Sequence, residues 1–154
     1  MNLLHVQRAR SIWLLPGEDL NPRGLDPIPI LAAIQSRYRF QIYPTKPEEI
    51  YDAPNGILFG RGSFGLDSGE RVEVESAKIY RDGVTADTSH SSDVSDRFLN
   101  DVLTFLSQRH GLAFTPDMIR RKVYLSELVV SVALNLDDIN EHFRDFSSLL
   151  AEQV

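Results

Sequence analysis

Lys78-Ile79-Tyr80-Arg81-Asp82-Gly83-Val84-Thr85-Ala86 is the stretch whose reading decides the fold. Asp-Gly between two runs rich in β-branched and aromatic residues is the strongest short hairpin signal, because the turns that match strand twist need positive φ. Glycine adopts that conformation without a Cβ clash. A strand ending at Tyr80 and another beginning at Val84 are therefore expected to pair antiparallel, with a tight hairpin near 82–83.

Upstream, Val72 to Tyr80 reads as the first hairpin strand, and Ile57-Leu58-Phe59 follows the turn signal Pro54-Asn55-Gly56. Ser11-Ile12-Trp13-Leu14-Leu15 suits a buried strand, and the prolines and glycines of residues 16–27 read as a loop. Asp26 is a good helix N-cap and Pro27 suits the first helical position, with Ile28, Leu31 and Ile34 on one face. Tyr38, Phe40 and Ile42 alternate with Arg39 and Gln41, which predicts a half-buried strand closed by Pro44. Thr45-Lys46-Pro47-Glu48 has the spacing of a capping box opening a short helix through Tyr51.

Downstream, Ser92 or Asp93 caps a helix over about 93–109, in which Val94, Phe98, Leu99, Val102, Leu103 and Leu106 recur at helical period and Gly111 is the stop. Thr115-Pro116-Asp117 starts a further helical turn. The period then changes to two. Tyr124, Ser126, Leu128, Val130, Val132 and Leu134 fall on one face of a strand about twice the usual length, which is central to the sheet or shared across a subunit boundary. Ile139, Phe143, Phe146 and Leu150 mark a last helix over 138–150. Strands cluster in the middle of the chain and helices follow them. The expected fold is a single α+β domain spanning 1–154, a mainly antiparallel sheet with the helices 93–109 and 138–150 packed on one face.

Composition narrows function by exclusion. With no cysteine among 154 residues, disulfides, thiolate catalysis and Cys-based metal sites are ruled out. A net charge of −6 repels nucleic acid and anionic membranes, so neither is an expected partner. His5, Arg8 and Arg10 interrupt the first apolar residues, and Glu127 breaks the most apolar stretch, so a signal peptide and a membrane span are not expected. A soluble, cytoplasmic protein follows. His5, His90, His110 and His142 stand in no metal-binding spacing, and neither metal nor cofactor is expected. Ser89-His90-Ser91-Ser92-Asp93 holds the residue types of a hydrolase triad, but neighbours in sequence cannot aim at one another as that mechanism requires. Asp93, Asp96 and Asp101 read as the solvated face of the long helix rather than as cation ligands.

Gly60-Arg61-Gly62-Ser63-Phe64-Gly65 has the spacing that brings backbone amides to phosphates. No helix begins after it, as a dinucleotide site requires, and the expected context is strand–loop–strand. With Lys78 downstream, this stretch resembles the nucleotide-covering loop of protein kinases. That family's His-Arg-Asp and Asp-Phe-Gly motifs are absent from the chain, so kinase catalysis is not implied.

Two functions remain in view. The first is a non-enzymatic, homo-oligomeric interaction protein, with Tyr124, Ser126, Glu127 and Leu128 of the long strand as interface candidates and a protein partner, a second copy included. Glu127, between Leu125 and Val129 on its face, calls for solvent or an arginine across the strand. The second is a small-ligand or nucleotide-binding domain, catalytic or not, that holds an anion with Gly60, Arg61, Gly62, Gly65 and Lys78.

Overall fold

The computed structural model describes residues 2–131; the end of the long strand beyond 131 and the helix expected over 138–150 lie outside the described residues. The chain divides into two compact units, Val6–Leu128 and a second formed by Met1–His5 with Val129–Val154. The packing described below is that of the first.

A five-stranded antiparallel sheet in the order β2-β3-β4-β1-β5 carries the fold, which is α+β. Its strands are β1 (Asn2–Leu14), β2 (Ile57–Gly65), β3 (Arg71–Tyr80), β4 (Gly83–Thr88) and β5 (Arg121–Ser131). Among the described residues four helices accompany them: α1 (Gly17–Leu20), α2 (Pro27–Tyr38), α3 (Glu48–Tyr51) and α4 (Ser92–His110). A 3-10 turn over Pro116–Met118 follows Thr115 as expected.

The hairpin joins β3 to β4, but Tyr80 pairs with Gly83, so Arg81 and Asp82 make the turn instead of Asp82-Gly83. Gly83 is required for a different reason. A Cβ there would strike the Trp13 carbonyl oxygen and stand 3.3 Å from Leu14 Cα, because β1 lies flat against this residue. The turn carbonyls are also occupied: Leu15 N–H donates to Asp82 O at 3.1 Å and Gly17 N–H to Arg81 O at 3.0 Å.

One face of the sheet carries the core. Trp13, Phe59, Val74, Ala77, Val84 and Ala86 pack under Leu31 and Ile34 of α2 and Phe98, Leu99, Val102, Leu103 and Leu106 of α4. The helix α4 forms where its period-3.6 face predicts it. Ser91 occupies the N-cap rather than Ser92 or Asp93, and Gly111 closes the C-terminus at φ 77° with its N–H on Leu106 O. The buried Ser95 of α4 donates to Ala9 O at 2.8 Å and lies 3.0 Å from Thr88 Oγ1, pinning the helix to β1 and β4.

Four local expectations are corrected. Residues 16–27 are not all loop, since Gly17–Leu20 turn helically ahead of the Asp26 cap, whose side chain accepts from Ile28 N–H. Tyr38 to Ile42 is not a strand: α2 runs on through Tyr38, and Arg39 ends it in the left-handed conformation at φ 55°. The apolar alternation there has another cause, with Tyr38 and Phe40 both filling the aromatic centre of the core around Phe98. In the helix at 48–51, Glu49 rather than Glu48 accepts from the Thr45 and Lys46 amides. The glycine-rich segment is also no loop. It is the second half of β2, and the connection to β3 is only residues 66–70.

Candidate functional site

The glycines of β2 are explained by what lies against them. Gly60 N–H donates to Ile42 O at 2.8 Å and Ile42 N–H returns a bond to Gly60 O at 3.0 Å, so this amide is spent on the chain's own backbone. Gly62 faces the ring of Phe40, where an added Cβ would lie 2.6 and 2.9 Å from Cδ1 and Cζ. Gly65 meets nothing within 4 Å. The Gly60 amide is thus taken, and Gly62 and Gly65 sit in an antiparallel ladder opposite Val74 and Arg71 instead of in a loop wrapped round a phosphate.

Arg61 stands between these glycines with φ 53°. The residues facing the core on β2 are Phe59, Gly62 and Phe64, a spacing of three and then two, so the strand changes phase at Arg61. The same shift occurs opposite it, where β3 buries Ala77, Val74 and Val72, and the register with β4 slips between Val74 and Ser76. A paired irregularity on two neighbouring strands lets both keep their apolar side chains on one face.

Arg39 and Arg61 are the two non-glycine residues with positive φ among the described residues. That conformation costs a residue with a Cβ about 1 kcal/mol, and glycine or asparagine is the economical choice. Both arginines border the same concavity of about 550 Å³, together with Gln41, Gly62, Ser63 and Glu73. Gln41 N–H is shared between Gly60 O and Arg61 O at 3.2 and 3.3 Å, which holds the strand-like segment after Arg39 beside β2. Ser63 Oγ accepts from Arg71 at 3.3 Å. Among the described residues neither Arg39 nor Arg61 has a side-chain hydrogen bond or a carboxylate partner. Lys78 lies elsewhere. It pairs with Leu58 and Thr85 and borders an apolar cavity of about 810 Å³ between α2, α4 and the sheet.

Two of the acidic residues of α4, Asp96 and Asp101, brace the fold instead of standing on a solvated face, whereas Asp93 is exposed as expected. Asp96 accepts from Trp13 Nε1 at 2.6 Å, from Lys122 Nζ at 2.7 Å and from the Ser11 hydroxyl, and Lys122 also lies 4.0 Å over the Trp13 ring. Burial opposes ionisation of Asp96, but these donors outweigh it and hold its carboxyl below the ordinary range. Asp101 accepts from Tyr38 Oη at 2.6 Å and from Nε and Nη2 of Arg37. No group of three or more metal-ligating side chains is found among the described residues.

On the sheet face away from the helices, Asp87 receives a two-pronged bond from Arg10 at 2.6 and 2.7 Å and a third from Ser76 at 2.9 Å. Glu127 is met by Arg8 across from β1, the arginine its position called for. Around it β5 is open: Val123, Tyr124, Leu125 and Leu128 are 37%, 52%, 46% and 53% exposed. Among the described residues β5 is the end strand of the sheet. No helix among them is long and apolar enough to cross a membrane.

Comparison with models of known protein families, with curated proteins and with solved structures finds no match to this chain.

Proposed function

We propose that the chain is a non-enzymatic interaction protein of the cytoplasm that pairs with a second copy of itself along β5. The observation that carries this reading is the exposure of five large apolar side chains, Val123, Tyr124, Leu125, Leu128 and Val130, on a strand of 11 residues that ends the sheet among the described residues. End strands that stay single are usually short, or are guarded by lysine, proline or a bulge. Here the basic residues Arg121 and Lys122 sit at one end, and Lys122 is engaged by Asp96.

A two-fold antiparallel pairing centred on Ser126 is self-complementary. It sets Tyr124 of one copy opposite Leu128 of the other on one face, and Leu125 opposite Glu127 on the other face. The Arg8–Glu127 pair would then flank the seam and keep the carboxylate answered. Sedimentation velocity at micromolar concentration tests this. The wild-type chain should run as a dimer, and the double variant Y124K/L128K as a folded monomer with an unchanged circular dichroism spectrum. A wild-type chain that remains monomeric throughout the micromolar range would rule the reading out.

A further inference from the structure

We infer that the concavity bordered by Arg39 and Arg61 binds a small phosphorylated metabolite, with its phosphoryl group on the two guanidinium groups and its hydroxyls toward Glu73, Gln41 and Ser63. The site lies on β2, at the other end of the described sheet from β5, and does not depend on self-association.

Two observations and the chemistry of the guanidinium group carry it. Both left-handed positions on this part of the surface hold arginine, where the backbone alone favours glycine, so the side chain serves something other than the turn. Both guanidinium groups are exposed and lack a protein partner among the described residues, although Glu73 borders the same concavity, so a ligand would displace only water to meet them. Guanidinium forks match phosphate oxygens in shape and charge, and two of them suit a dianion.

The remaining lining fixes the rest of the ligand. Glu73 would repel a bare anion and accepts hydrogen bonds only, so it selects a molecule that also carries hydroxyl donors. Gln41 offers an amide able to donate and accept. The hydroxyl of Ser63, whose oxygen already accepts from Arg71, is left to donate. A concavity of about 550 Å³ accommodates a sugar phosphate or a mononucleotide. The overall charge of −6 disfavours a nucleic-acid chain as the source of the phosphate.

The test uses ribose 5-phosphate and inorganic phosphate as probes, followed by isothermal titration calorimetry at matched ionic strength. Ribose 5-phosphate should bind, and R39G and R61G should each weaken it by about tenfold or more, the loss expected for one charge-assisted contact. Glycine is at home at positive φ, so these variants should melt no lower than the wild type without ligand, which separates lost binding from lost folding. E73Q should weaken ribose 5-phosphate and strengthen inorganic phosphate. The monomeric Y124K/L128K variant should bind as the wild type does. Absence of binding by both probes, or binding that survives R39G and R61G, would overturn the site. Equal affinity for the two probes would overturn the assignment of the hydroxyls.

Discussion

Gly62→Ala separates a strand packed on an aromatic core from a flexible ligand loop. The added Cβ would lie 2.6 Å from Phe40 Cδ1, where ordinary contact begins at 3.4 Å, so the ring must retreat by most of an ångström. It has nowhere to go. Phe40 is 1% exposed, and the rings of Phe59, Tyr38 and Phe98 stand at 5.2, 6.2 and 6.3 Å from it. Overpacking of this kind costs about 1–3 kcal/mol, and a ring enclosed on three sides by other rings belongs at the upper end. Replacing glycine inside a strand returns about 0.5–1 kcal/mol of chain entropy, which leaves a net loss of about 2 kcal/mol. For a chain of this length the melting temperature should fall by about 4–8 °C. Gly65→Ala is the control, because nothing lies within 4 Å of its Cβ position and its φ is not positive. It should be neutral or stabilising by up to about 1 kcal/mol. Urea unfolding followed by circular dichroism reads both as shifts of midpoint at constant slope. Equal effects of the two substitutions would refute the packing argument.

Two further outcomes follow from the polar contacts. Burial raises the proton affinity of the Asp87 carboxylate, but the bonds from Arg10 and Ser76 outweigh it and hold the group below its ordinary 3.8. The unfolded chain therefore binds this proton more readily, so the contribution is full above that value and drains as pH falls through the lower native one. Asp87→Asn should cost about 1–3 kcal/mol at neutral pH, and urea midpoints of variant and wild type should converge in acid; a pH-independent gap would contradict this. Burial and the neighbouring Asp101 push the Tyr38 phenol far above its ordinary 10.0. Tyr38→Phe should lose about 1–2 kcal/mol of stability by urea unfolding, and in the wild type tyrosinate absorbance should show one phenol that titrates only when the protein unfolds.

The elements that sequence made legible are those whose period is uninterrupted. The helix α4 keeps one apolar stripe from Val94 to Leu106 and ends on a left-handed glycine, so its length and stop could be read directly. The strand β5 forms where the change to a period of two predicts it, and Glu127, expected to meet solvent or an arginine across the strand, is partly exposed and met by Arg8. The hairpin was visible because Asp82-Gly83 punctuates two strands. Its turn was misplaced by one residue because Gly83 is fixed by the approach of β1, a contact remote in sequence.

The candidate site was legible at Arg61 and Gly62, which the sequence offers for an anion, and hidden at Arg39. Arg39 ends α2 where glycine would have announced the stop, and the tertiary packing of Tyr38 and Phe40 onto Phe98 then produces an alternation that imitates a strand. Arg61 shifts the phase of β2, so that Phe59, Gly62 and Phe64 all reach the core at a spacing that fits neither a strand nor a helix. Glycines required by Phe40 and Ile42 therefore look like the glycines of a phosphate loop. The Gly60 amide is committed to Ile42, and the groups without a protein partner among the described residues are the side chains of Arg61 at the break and of Arg39 at the end of α2. A sequence pattern that fails at one point on both partners of a strand pair marks a place where the backbone is bent for packing. Here that bend also brings Arg39 and Arg61, which have no carboxylate partner among the described residues, to one concavity.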